Sequence, residues 1–392
     1  MSLQSNVLPN PNHLCQSNTP LENLPAEIRR HLLSTLDYEG LKALVHASSI
    51  YHQQYLLNRH HLLCKCLETT LGSNTTGACA VYQSGLVEFS KTRTEEIITQ
   101  FLESYGNSRF LSQYSFLKTL ILDQVISIVA FHLSIIKPLA RYYAGWTVVN
   151  LAKDTKDTQD YLSLSSTEET RLTRALYRFQ LYCNLFGVSC YRSRRQWMLE
   201  FESEVEEIAC IYTFAKTTFN QVFDDIRWDV HQDNPRFDGQ HRPPTPQGAF
   251  NFDSGYTRDL LLERNLSRGL ELLHDVLFKI KDHAQLDILD NTPQSRRRRL
   301  HPTDQDLKQK RRDPLPFQGG NEEFPPLART LIWQGTYSNL FGWYIKDDVR
   351  SWGYIMWGAA RLERTGVKEV LHRQWKACWK DVDPRNRLRY AN

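Results

Sequence analysis

The stretch Leu21–Leu56, LENLPAEIRRHLLSTLDYEGLKALVHASSIYHQQYL, decides how the chain begins to fold. Ile28, Leu32 and Leu36 recur at intervals of four with Leu33 beside them, the spacing that draws an apolar stripe along a helix. Leu24-Pro25 opens that helix, because a proline fits a first turn where its missing N–H has no intrahelical partner. Glu27 then places a negative charge at the positive end of the helix dipole. Asp37 ends this helix and caps a second, which carries Leu41, Leu44 and Val45. Ser48 and Ser49 punctuate before a third helix with Ile50, Tyr51, Tyr55 and Leu56. Three helices of about ten residues bury too little to be secure alone. Part of their apolar surface must therefore rest on later chain or on a second protein.

Outside this stretch the composition is that of a soluble globular protein. Of 392 residues, 41% are hydrophobic and 23% charged. The net charge of +4 is concentrated: Arg296 to Arg312 holds six arginines and two lysines against Asp304 and Asp306, a local +6, which leaves the remainder at −2. That distribution argues against a general nucleic-acid binder. The first twenty residues have neither a basic start nor an apolar core, so no secretory signal is read there. The best membrane candidate, Leu117–Ile136, is interrupted by Asp123, Gln124 and His132, which reads as a buried helix and gives no membrane partner. Without an export signal, the eight scattered cysteines read as reduced core thiols, and the sequons at Asn74 and Asn265 as chance matches. Cytoplasm, nucleus or both are the expected locations.

The expected fold is mainly α: a three-helix unit, then an irregular helical domain with long loops. Residues 1–20 read as disordered, 21–66 as the leucine-patterned unit, and 67–290 as the helical domain. Residues 291–326 read as a basic disordered linker or insertion, and 327–385 as an aromatic-rich helical segment that packs back on the domain. GSNTTGACA (Gly72–Ala80) reads as a loop, and His231–Gly255, rich in Pro, Gly and Asp, as a long surface loop. Thr94 caps a helix with Ile97, Ile98, Phe101, Leu102 and Tyr105 on one stripe. Ser166 with Glu169 reads as a second capping signature, for a helix ending at Gly187. Leu262, Leu266, Leu270, Leu273 and Leu277 continue one further helical pattern.

Little of this carries chemistry. In FDDIRWDVH, Asp224, Asp225 and Asp229 lie within one and a half turns, with Asp225 and Asp229 on a shared face. Paired carboxylates can hold magnesium, so an all-helical magnesium-dependent enzyme, similar to the class I terpene cyclases, is the enzymatic alternative. Trp228 stands where that motif has its usual third carboxylate, and no second metal motif follows. His60, His61, Cys64 and Cys66 cluster, but structural zinc sites show paired C-x₂₋₄-C elements and this chain has one imperfect cluster. No phosphate loop or nucleophile elbow is present. The expectation is a non-enzyme without metal or cofactor. Arg296 and Arg297, a ten-residue spacer, then Lys308, Lys310, Arg311 and Arg312 fit a bipartite nuclear-import pattern.

Residues 21–58 resemble an F-box, the helical module that docks F-box proteins on the Skp-family adaptor of cullin–RING ubiquitin ligases. The likeness rests on Leu24, Pro25, Glu27 and Ile28, then Leu33, Leu36 and Asp37, then Leu41 and Leu44, and finally Ala47, Ser48 and Tyr51. The family usually has tryptophan at the last position and often a basic pair before it, where this chain has Ser49-Ile50. RALYRFQLYCNLFG and SWGYIMWGAARLE look like blocks of uncharacterised filamentous-fungal F-box-like proteins. The resemblance implies that Leu24, Pro25, Ile28, Leu32 and Leu41 face the adaptor, with Leu36 and Leu44 bridging contact surface and internal packing. It also implies a substrate receptor whose helical body binds an unknown protein target, with no specific nucleic acid. An adaptor-incompetent helical interaction protein is the third alternative. No leucine-rich, WD or kelch repeat identifies a substrate-binding module.

Overall fold

A computed structural model describes residues 20–108, 117, 119–153, 163–187, 205–239, 249–280, 331–332, 345–380, 382–383 and 385. Every regular element among them is helical, so the mainly α expectation holds. Residues 1–19 of the expected N-terminal tail (1–20), and the whole expected basic segment (291–326) with its import pattern, lie outside the described residues.

The chain divides into two compact units, the first formed by residues 1–72 with 114–125 and the second by 73–113 with 126–392. In the first, α1 (Ala26–Thr35), α2 (Tyr38–Ala47) and α3 (Ser49–Leu57) stand where the leucine pattern places them. Their boundaries are chemical. The Asp37 side chain accepts the Gly40 N–H at 2.8 Å and starts α2, and Ser48 Oγ accepts the Tyr51 N–H at 3.4 Å and starts α3.

A fourth helix, α4 (Arg59–Leu71), runs past the expected boundary at residue 66 and buries Leu62, Leu63, Cys64, Cys66, Leu67 and Leu71. Chain from fifty residues further on completes the unit: Leu117, Leu120 and Val125 are buried in it. Each fully buried leucine contributes about 1.5–3 kcal/mol. The unit therefore has a core of its own, built from Leu33, Leu41 and Tyr51 against α4 and the returning segment.

The second unit opens where a loop was expected. Gly72–Asn74 makes one 3₁₀ turn and Thr75–Ser84 is helix α5. Its small residues allow close packing; a Cβ on Gly77 would already touch Tyr177 Cβ at 3.7 Å. Helices α6 (Val87–Thr92) and α7 (Glu95–Ser108) follow, and α7 buries Ile98, Leu102 and Tyr105 as its periodicity predicts.

Helices α8 (Leu122–Phe131) and α9 (Lys137–Ala152) are joined by a π segment, His132–Ile136. There the Lys137 N–H bonds the His132 carbonyl, next to Pro138, which cannot donate. The short apolar run of the sequence is thus part of a 31-residue helix, long and apolar enough by length and composition to cross a membrane, with 39% of its most apolar window buried.

Helix α10 (Ser166–Phe186) is the spine of this unit, packed against α5, α9 and α11 (Val205–Ile226) and buried on nearly every face. Its capping box is Ser165 with Glu168, one residue earlier than the sequence reading. The leucine pattern after Gly255 is two helices, α12 (Gly255–Leu266) and α13 (Leu270–Phe278). They are broken at Gly269, whose φ of 81° a side chain would resist.

The stretch 231–239 with 249–254 is not simply a surface loop, because Phe237, Ala249 and Phe252 are buried and Phe252 stacks on Phe223 at 5.1 Å. Three short elements close the unit: α14 (Asp347–Arg350), α15 (Ala359–Arg364) and α16 (Val367–Trp379).

These last elements dock on the central helices. Trp352 and Trp357 are buried, and Arg171 Nη1 donates to the Trp357 carbonyl at 3.2 Å. Carboxylates clamp them in place. Glu168 accepts from Arg361 Nε and Nη2 at 2.8 and 2.7 Å, and Glu206 from Arg350 Nη2 at 2.8 Å. Glu207, fully buried, accepts from Arg174 and Arg178. Burial alone would raise its pKa, but Arg174, Arg178 and Arg171 outweigh that and lower it.

Candidate partner-docking surface

The first unit orients α1 through a strap, Leu21–Pro25, that is tied down at several points. Tyr51 Oη donates to the Leu21 carbonyl at 2.8 Å, and Ser48 Oγ to Glu22 Oε1 at 2.5 Å. Arg29 Nη1 donates to the carbonyls of Glu22 (3.0 Å) and Leu24 (2.6 Å). The buried tyrosine at the position where the resembling family usually has tryptophan is thus used twice, its ring in the core and its hydroxyl on the strap. Pro25 is the N-cap of α1 (φ −52°, ψ 149°), one position before the helix proper.

From this start the helical repeat separates two apolar faces of α1. Leu33 points into the core and is 0% exposed, whereas Ile28, on the other stripe, is 49% exposed. Pro25 is exposed with it, and Leu24 and Leu32 are half-buried beside it. Leu36 and Leu44 are also half-buried. Leu41 departs from the expectation: it is 3% exposed, held in the unit's own core, and is not available to a partner in this conformation. Sequence reasoning counted Leu56 only as part of the third helix and did not name Leu57; they are 55% and 81% exposed at the end of α3. The signal available was their place at the helix end next to Asn58, where the apolar stripe stops.

The other clusters are engaged within the chain. His60 Nε2 donates to the Leu120 carbonyl at 2.7 Å, and Cys64 Sγ contacts the Leu117 carbonyl at 3.6 Å. These side chains thereby pin the returning segment onto α4. The aspartates of FDDIRWDVH do not converge. Helix α11 ends at Ile226, so Asp229 lies in the following turn and shares no helix face with Asp225. Asp225 accepts from Gln221 at 3.0 Å, and Arg258 pairs with Asp224 at 2.6 Å, its hydrogen bond lowering that carboxyl's pKa. Among the described residues no group of three His, Cys, Asp or Glu side chains could hold a metal ion.

Among the described residues, Cys64, Cys66, Cys79, Cys183 and Cys210 are buried and in no disulfide, with burial raising the Cys66 pKa to about 11. Asn74 and Asn265, the sequon asparagines, are buried.

No protein-family model matches the chain, and no curated protein and no solved structure matches it.

Proposed function

We propose that this chain is an F-box-like substrate receptor. Leu24, Pro25, Ile28 and Leu32, flanked by Leu36 and Leu44, dock on a Skp-family adaptor of a cullin–RING ubiquitin ligase. The helical second unit binds a protein target. One observation carries the reading. The first unit has a complete core, yet Ile28 remains half-exposed on a face whose start is fixed by four side-chain hydrogen bonds to the strap. An apolar stripe on a rigid, pre-positioned helix suits a partner's groove, because little ordering is required on binding. The chain performs no chemistry in this scheme. It raises the effective concentration of a target near a ubiquitin-conjugating enzyme.

The test is capture of a purified Skp-family adaptor by the full chain and by the Leu24→Asp/Ile28→Asp variant. Wild type should retain the adaptor and the variant should lose it, since each aspartate would be buried without a partner. Equal retention removes the docking reading. The import pattern belongs to the same proposal. Alanine at Arg296, Arg297, Lys308, Lys310, Arg311 and Arg312 should shift a fluorescent fusion from nucleus to cytoplasm, and an unchanged distribution removes the signal.

A further inference from the structure

We infer that the surface around Trp228 and Tyr256 captures an arginine-bearing segment of a protein partner, which deepens the reading, on which it rests, that the second unit binds a protein target. Trp228 and Tyr256 are 58% and 69% exposed, the two most exposed aromatic residues among those described. Tryptophan is highly buried on average, so one left in solvent calls for a reason. The fold holds this one in place. Its ring stacks on His231, with centroids 5.7 Å apart and planes at 18°. His231 is clamped in turn: its Nδ1 accepts the Asp233 N–H at 3.2 Å, and its Nε2 donates to Asp253 Oδ2 at 3.3 Å. Asn234 Nδ2 donates to the Trp228 carbonyl at 2.8 Å, and the Phe250 N–H to the Val230 carbonyl at 2.7 Å. An ion pair between Arg227 and Asp253 ties the turn that carries Trp228 to the start of α12, where Tyr256 stands. His231 is the one ring that Trp228 contacts among the described residues, which leaves the opposite face of the indole open. A ring fixed in this way needs little ordering on binding.

Charge names the occupant. The described residues of 224–239 and 249–259 carry seven aspartates against Arg227, Arg236 and Arg258, a balance of −4 in a chain whose net charge is +4. Asp225, three residues before the ring, and Asp233, on the clamped imidazole, are exposed and have no arginine or lysine partner among the described residues. A guanidinium stacks flat on an indole face while its edge donates to a carboxylate, so an arginine side chain satisfies both parts of this surface at once. The other polymer that stacks on a free aromatic face is a single-stranded nucleic acid, and it needs a positive surface for its phosphates. The carboxylates here repel it.

The experiment is isothermal titration of the full chain with a capped hexapeptide alternating arginine and glycine. The glutamate–glycine counterpart and a single-stranded hexanucleotide serve as comparison probes. The arginine peptide should bind, and Trp228→Ala should weaken it about tenfold while leaving the thermal midpoint unchanged, the side chain being exposed. Asp225→Asn/Asp233→Asn keeps the ring and should weaken the peptide as well. Alanine at Arg296, Arg297, Lys308, Lys310, Arg311 and Arg312 removes the chain's own basic competitor, and that variant should bind at least as tightly as wild type. The Leu24→Asp/Ile28→Asp variant should bind the peptide as wild type does while losing the adaptor, so the two readings fail separately. The inference is overturned if neither wild type nor the six-alanine variant binds, if the glutamate peptide or the oligonucleotide binds equally well, or if Trp228→Ala leaves binding unchanged.

Discussion

Replacing Glu168 by glutamine tests the clamp that fixes the C-terminal elements to α10. The carboxylate is 2% exposed and accepts four hydrogen bonds: two from Arg361, one from the Gly358 N–H at 2.9 Å and one from the Ser165 N–H at 2.9 Å. Burial by itself raises its pKa. The hydrogen bonds of Arg361, Gly358 and Ser165 and the charge of Arg361 together overcome that and bring it from 4.5 down to about 2. At 1.36 kcal/mol per pKa unit, the ionised form contributes about 3 kcal/mol as an upper bound. Glutamine keeps one acceptor oxygen but turns an N–H₂ toward groups that are all donors, so most of that contribution is lost.

The sign with pH is fixed. A carboxyl depressed on folding stabilises the protein fully above its unfolded value, near 4.5, and loses that stabilisation as pH falls through about 2. The wild-type advantage in urea denaturation should therefore be about 3 kcal/mol at pH 7 and less than half of it at pH 3. Tryptophan emission is the readout, because all six described tryptophans lie in the second unit and Trp357 sits beneath Arg361, 5.0 Å from its guanidinium. An advantage below about 1 kcal/mol at pH 7, or one that does not narrow by pH 3, refutes the clamp.

Other outcomes follow from the same geometry. Leu41→Ala should cost the first unit about 2–5 kcal/mol, whereas Ile28→Ala, at a half-exposed site, should cost about 1 kcal/mol or less; circular dichroism melts that rank them the other way contradict the assignment of core and docking faces. Tyr51→Phe removes the hydroxyl that holds the Leu21 carbonyl and should cost about 1 kcal/mol. It should also speed hydrogen exchange at the Leu24 amide, and unchanged exchange there would show that the strap does not depend on this bond. Asn265→Leu should be neutral or stabilising by about 1 kcal/mol, because neither polar atom of the buried asparagine side chain has a hydrogen-bond partner. A loss of more than about 2 kcal/mol on denaturation would reveal a partner that the geometry does not show.

What the amino-acid order determined by itself is local. The caps at Asp37 and Ser48 and the four-residue leucine spacing place three helices, because capping and stripe formation are decided within a few neighbouring residues. The same short range explains the near misses. The capping box starts at Ser165 instead of Ser166, and the leucine run of 262–277 breaks at Gly269, whose left-handed backbone no periodicity reveals. Tertiary structure alone decided which chain completes the first core, since Leu117 and Leu120 lie some fifty residues from the α4 side chains they meet. It also decided that Leu41 turns inward while Ile28 stays open, a choice made by where α4 lies and not by the pattern the two residues share. The pairings of Glu168 with Arg361 and of Glu207 with Arg174 belong to the same class. A charge can be buried only where folding brings its counter-ion, and no local rule specifies a partner nearly two hundred residues away.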